Sequence, residues 1–403
     1  MRLLFLCSGL EPGRDGVGDY TRCLAQAACA AGHEVALVSV RDDFAKAIPA
    51  LPAVPMAGQV AEWRLPRMLD DPVQSGLFRR WVESFTPDWV SVQHSAFGWH
   101  PRGLGARQAN QLLQLLPATA RRHLMLHELW LEKHRGQPFR QRVLGWLQHS
   151  VIRAWVGAGF RPHLTQVQCR WYQSQLADFG YKSEVWPLCS NFPVPSVPPA
   201  QNPDWLLQHL AQPLAPSLSK PIYWLGHFGS FYTEEWDPRA FLENFDRTVT
   251  ASGKQLVAVA MGNMRMGREA WRALEERPPT GVVVASVRSL APAEISVALS
   301  ACDGAFCTTP WPMVEKSSAV CVWRALGVPV LTPRTKEDTS RAARLPAWPD
   351  AGLIFAPGPE IPLPPLRVPA PDFLDPAVSI KKLLAVFVTH DQANSGVPAY
   401  PRA

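Results

Sequence analysis

Apolar residues in this chain fall into short runs of strand length that alternate with longer stretches of helical spacing. In the first half, Arg2–Cys7, Glu34–Val40, Trp89–Gln93, Arg122–His127, Leu164–Gln168 and Glu184–Leu188 read as buried strands. Amphipathic stretches near Gly18–Ala31, Pro72–Phe85, Ala106–Leu115, Pro138–Val156 and Arg170–Phe179 read as the helices between them. A Pro-rich passage over Asn191–Pro221, with one short helix near Asp204–Leu210, then breaks the rhythm. The alternation resumes with strands at Ile222–Leu225, Gln255–Met261, Val282–Val287, Gly304–Cys307, Val328–Thr332 and Leu353–Phe355. Its helices are expected at Pro238–Ser252, Arg268–Glu276, Pro292–Ser300 and Lys316–Leu326, and Asp375–Thr389 has the spacing of a closing helix. Near-continuous apolar strands separated by helices predict α/β units with parallel sheets covered on both faces. The expected division is 1–190, a linker over 191–221, 222–372, and a closing helix and tail over 373–403.

Two strand–glycine loop–helix units stand out, one in each half. In the first, Arg2–Cys7 leads into a loop with Gly9, Gly13, Gly16 and Gly18, then a helix. In the second, Gly226-His227-Phe228-Gly229-Ser230 follows a strand, and Glu315-Lys316-Ser317-Ser318 opens a helix later in the same unit. A lysine and two serines beside unpaired first-turn N–H groups suit a doubly charged phosphate, although Ser317 or Ser318 would also serve as an ordinary helix cap. Gly16, Gly18 and Asp19 open the first helix. Asp19 is placed either to cap it or to orient a ligand hydroxyl.

Composition narrows the class. The chain has 403 residues, too many for one ordinary core, and 47% of them are apolar, which excludes global disorder. A net charge of +6 without a dense Lys/Arg block suits anionic ligands or an anionic membrane face, and does not point to nucleic acid. Eight scattered cysteines show neither Cys-x-x-Cys nor zinc spacing, and read as free thiols of a reducing compartment. Met1–Leu10 reads as a strand running into a glycine loop instead of a leader, and no segment approaches the ~20 apolar residues that span a bilayer. The expectation is a cytoplasmic protein, with peripheral membrane contact allowed by its charge.

Six segments, in order, resemble the retaining GT-B-fold glycosyltransferases of the family 4 group. They are Gly16-Val17-Gly18-Asp19-Tyr20-Thr21, Val92-Gln93-His94-Ser95-Ala96-Phe97-Gly98-Trp99, Leu126-His127-Glu128-Leu129, Leu188-Cys189-Ser190-Asn191-Phe192-Pro193, Gly226–Ser230 and Lys316–Leu331. The resemblance implies two Rossmann-like domains facing each other across a cleft. The C-terminal domain would hold a nucleotide-sugar donor, and the N-terminal one a carbohydrate or lipid-linked acceptor. It places Lys316, His127 and Asp19 in catalytic roles. Gly229, Ser230, Gly262, Asn263, Arg265, Val287, Glu315, Ser317 and Ser318 fall at the donor, and Gly16, Gly18, His94 and Glu128 at the acceptor. It implies no cofactor and no metal, the nucleotide-sugar being a substrate, in polysaccharide or glycoconjugate synthesis of the bacterial kind. Two features depart from the family pattern. The second of its paired glutamates is replaced by an apolar position near Val322, and Gly226–Trp236 lacks the family's Arg and Lys.

Other readings stay open at this level. A degenerate transferase fold could act as a scaffold or sugar-binding subunit. A nucleotide-sugar epimerase or an NAD-type oxidoreductase shares the architecture; for the latter, Asp42 or Asp43 would be the ribose-binding acid after strand two, although the first loop lacks Gly-x-Gly-x-x-Gly.

Overall fold

The computed structural model describes residues 1–47, 50–56, 58–131, 138–192, 203–214, 220–233, 236–262, 264, 266–333 and 350–394. The chain forms two compact units: Met1–Pro187 together with Pro376–Ala403, and Leu188–Asp375.

Unit 1 runs β1 (Arg2–Cys7), α1 (Gly16–Ala30), β2 (Glu34–Ser39), β3 (Val60–Arg64), α2 (Pro72–Phe85), β4 (Trp89–His94), α3 (Ala96–Trp99), α4 (Ala106–Leu115), β5 (Arg121–Leu126), α5 (Phe139–Val156), β6 (Leu164–Val167), α6 (Arg170–Asp178) and β7 (Glu184–Val185). The strands form a seven-stranded sheet in the order β3-β2-β1-β4-β5-β6-β7, every pairing parallel. β1 is buried from Leu3 to Cys7 and β4 along its whole length, as expected of strands covered by helices on both faces of the sheet. Strand order reverses between β1 and β4, so the loops leaving their carboxyl ends diverge and open a crevice there.

Unit 2 contains α7 (Pro203–His209), β8 (Ile222–Phe228), α8 (Pro238–Ala251), β9 (Gln255–Met261), α9 (Arg268–Glu276), β10 (Val283–Ser286), α10 (Pro292–Ser300), β11 (Gly304–Phe306), a 3-10 turn over Trp311–Lys316, α11 (Ser318–Ala325), β12 (Val330–Thr332) and β13 (Leu353–Phe355). Its six strands are again parallel, in the order β10-β9-β8-β11-β12-β13, and the reversal falls between β8 and β11. Gly226 in β8 sets the seat of α11: a Cβ there would lie 2.3 Å from the Trp323 ring, so only glycine admits that indole.

α12 (Pro376–Asn394) returns to unit 1. Phe387 stacks on Trp89 with ring centroids 4.1 Å apart, and Asp391 pairs with Arg121 at 2.5 Å. Part of the expected linker is structured as well. Beyond α7, Leu210 bridges antiparallel to Val287, and the Ala211 N–H donates to the Ser286 carbonyl, so this segment flanks the edge of unit 2's sheet. β3 and α3 were not anticipated. β3 is an edge strand in which only Trp63 is buried, so it lacks the apolar run that marks the other strands.

Candidate functional site

In unit 2, the loops after β8, β9, β10 and β11 and the start of α11 meet at the carboxyl edge of the sheet. Gly229 has φ +92°, a left-handed conformation that favours glycine, and a Cβ built there would sit 3.9 Å from Cβ of Ala319 in the first turn of α11. The glycine loop and the helix start are therefore in van der Waals range. Thr308 ties the loop down: its hydroxyl donates to the Ser230 carbonyl at 3.1 Å and accepts from the Tyr232 N–H at 3.1 Å. Thr309 donates to the Ser317 hydroxyl at 3.2 Å. The sequence reading missed both threonines. Their signal was the polar pair Thr308-Thr309 directly after a buried strand.

The helix begins later than expected. Pro310 and Pro312 favour a tight 3-10 turn over Trp311–Lys316, α11 starts at Ser318, and Lys316 ends the turn that enters it. Ser317 occupies the N-cap position, yet no side chain caps the helix. The ordinary cap reading of Ser317 is thus not what its hydroxyl does. An uncapped helix start, two adjacent serines and a lysine one residue ahead of the cap form a place for an anion. Glu315 lies in the same turn, half-buried.

Gly262, at the end of β9, also has positive φ (+80°), and a Cβ there would strike the Phe228 ring at 2.6 Å. Val287 is half-buried at the end of β10, its N–H donating to the Ala260 carbonyl. Asn263 and Arg265 lie outside the described residues. Beneath the glycine loop, His227 is buried against Phe231, Trp271 and Phe306 and bonds to the Phe306 carbonyl through Nδ1; burial lowers its pKa to about 4. It is a neutral prop for the loop at ordinary pH.

In unit 1, the residues expected at the acceptor gather at the carboxyl edge around the β1–β4 reversal, but their tasks differ from the first reading. Asp15, not Asp19, caps α1, accepting from Val17 and Gly18 and holding the Ser8 hydroxyl at 2.8 Å. Asp19 accepts from the Gly13 N–H at 3.0 Å and pairs with Arg22, shaping the loop. Gly18 is demanded by the chain itself, since a Cβ there would lie 2.2 Å from the Gly9 carbonyl oxygen, whereas nothing stands within 4 Å at Gly16.

His94 is fully buried between Trp99 and Trp155, burial lowers its pKa to about 3, and neither ring nitrogen has a hydrogen-bond partner among the described residues. Its side chain belongs to the core. His127 is also buried: Nε2 donates to the Gln93 side chain at 2.8 Å and Nδ1 accepts from Gln168 at 2.6 Å. A sugar contact from this ring requires breaking one of those buried bonds. Glu128 is half-buried beside it and accepts from Ser95 at 3.0 Å.

Asp42 follows β2 and is completely engaged. Arg64 grips it from two nitrogens at 2.8 and 3.0 Å, and Leu10 N–H, Phe44 N–H and Ser39 Oγ fill its remaining acceptor positions. Arg64 also pairs with Glu11 at 2.6 Å. Asp42 pins the glycine loop and is closed to a ribose, which leaves Asp43, exposed and 3.7 Å from Arg41, as the acid of the dinucleotide reading.

No family model and no curated protein sequence matches the chain. Among solved structures, it is similar to the sucrose-phosphate synthase of Thermosynechococcus elongatus, with a TM-score of 0.51 and 14% identity over 96% of this chain and 90% of that one. It is likewise similar to a glycosyltransferase from Rickettsia africae ESF-5, with a TM-score of 0.52 and 10% identity over 97% and 98%. At such identities the likeness is one of fold. The chain has the GT-B type of fold that its ordered motifs implied: two α/β units, each built on a parallel sheet.

Proposed function

We propose that the protein is a glycosyltransferase that moves a sugar from a nucleotide-sugar to an acceptor hydroxyl. The observation that carries this reading is the unit 2 edge, where the Gly229 loop abuts the uncapped start of α11 and Lys316, Ser317 and Ser318 stand beside it. The two structural neighbours, a sucrose-phosphate synthase and a glycosyltransferase, agree with it. In transfer, the bond from the sugar's anomeric carbon to the diphosphate oxygen breaks and one to the acceptor oxygen forms. The acceptor proton leaves with the diphosphate. Negative charge grows on the leaving group, where Lys316 and fixed N–H dipoles stabilise it without reorganisation. The resemblance to retaining enzymes adds that no protein nucleophile is required.

The loop edge of unit 1, with Glu128, Asp19 and the Gly16 loop, is the acceptor side in this reading. His127 acts by orienting that edge through its two glutamine bonds. Calorimetric titration with UDP, GDP, ADP and dTDP tests the reading: one of them binds with micromolar affinity, and binding by none of the four refutes it. A protein that binds a nucleoside diphosphate yet turns over no nucleotide-sugar of that base would be the scaffold form of the fold.

A further inference from the structure

We infer that the solvent face of α5 docks on an anionic lipid surface. The helix has 18 residues, about 27 Å of axis, and its inner face packs Gly145, Gln148, Val151, Ile152 and Trp155 into unit 1. A helix apolar on one side and buried there carries polar residues on the other in an ordinary soluble protein. On α5 the outer side carries four large apolar side chains as well, with Ser150 among them. Phe139 is 76% exposed, Trp146 67%, and Val143 and Leu147 38% each. At 3.6 residues per turn these four lie within an arc of about 100°, opposite the buried face.

Charge selects the occupant. Arg142 and Arg153 flank one margin of the arc and Arg140 the other, all three exposed, and α5 contains no Asp or Glu. An aromatic stripe between arginine rims, with no acid to repel phosphate, matches the boundary of a bilayer. Rings enter the acyl margin while guanidinium groups meet headgroup phosphates. The net charge of +6 acts in the same direction. No helix of the described residues is long and apolar enough to cross a membrane, so the contact is one of surface adsorption.

Co-sedimentation with vesicles tests the inference. The full chain pellets with vesicles of 30 mol% phosphatidylglycerol in phosphatidylcholine at 50 mM salt, and far less with phosphatidylcholine alone. Binding weakens about fivefold for each of Arg140→Gln, Arg142→Gln and Arg153→Gln, and falls at least tenfold in Trp146→Glu and Phe139→Glu. These side chains are exposed, so the variants keep the parent's melting temperature. They also keep nucleoside diphosphate binding, which separates this result from the fate of the proposed function. Absence of pelleting, or pelleting indifferent to all five substitutions, overturns the inference. So does concentration-dependent dimerisation abolished by Trp146→Glu without vesicle binding, which would make the occupant a second copy of the chain.

Discussion

Lys316 carries the sharpest expectation at the level of single residues. A charge-assisted contact to phosphate is worth roughly 1.5–3 kcal/mol, and more where charge develops in the transition state. Lys316→Ala should therefore lower turnover and diphosphate affinity by about ten- to a hundredfold in a protein whose melting curve shows it folded. Equal affinity in the two proteins would remove the phosphate from this position. In this reading Lys316 and the helix start neutralise the diphosphate. Affinity for the nucleotide measured with and without EDTA should accordingly be the same, and a loss restored by magnesium would contradict it. The buried histidines make a separate statement about pH. His94 and His123 have pKa values lowered to about 3 and His227 to about 4, each mainly by burial, against 6.5 for an ordinary imidazole. Folding keeps them neutral, so their contribution is fully present above about pH 6.5 and is lost as pH falls towards the folded values. At pH 5.5 each such histidine costs on the order of 1 kcal/mol. Urea melts at pH 7.5 and 5.5 should show this decline. His94→Phe, which removes one of the protons taken up on unfolding, should flatten it.

Among the elements, α11 is fixed at its far end by a buried ion pair. Arg324 meets Asp350 through two bonds of 2.9 Å and donates to the Val328 and Pro369 carbonyls, beneath Gly352, where any side chain would collide with it. Asp350→Ala would strand a buried guanidinium, at a cost of about 3–5 kcal/mol, measurable as a large drop in denaturation midpoint. The same helix shows what could be read in advance and what could not. Its apolar spacing made the element plain, but its first residue depended on Pro310 and Pro312, which impose a 3-10 entry and move Lys316 out of the helix. Strands β9 and β13 were legible to the residue because both are short apolar runs bounded by polar turns. β3 was not, because Glu62 interrupts it and only Trp63 is buried. The partners of His127 were hidden for another reason. Gln93 and Gln168 leave different strands, and nothing in a glutamine's local sequence announces which ring it will hold. Strand ends were visible; the bonds across them were not.

At the scale of the whole molecule, the pairing of Trp89 with Phe387 joins α12 to the first sheet. Phe387 is fully buried, so Phe387→Ala should destabilise unit 1 by about 3–5 kcal/mol. Hydrogen exchange should register the loss on β4 and β5 before it appears in unit 2. The partners concerned stand far apart in the chain: Trp89 and Asp391, which also touch, are separated by 302 positions. Unit 2 is thus an insertion, continuous from Leu188 to Asp375, within a unit whose own chain is interrupted. During synthesis the inserted half leaves the ribosome entire and can fold at once. The earlier half must wait, its sheet uncapped over Trp89, until the helix at 376–394 has been made. The half translated before the insertion is therefore finished after it, and its bare indole is the surface a chaperone would meet in the interval.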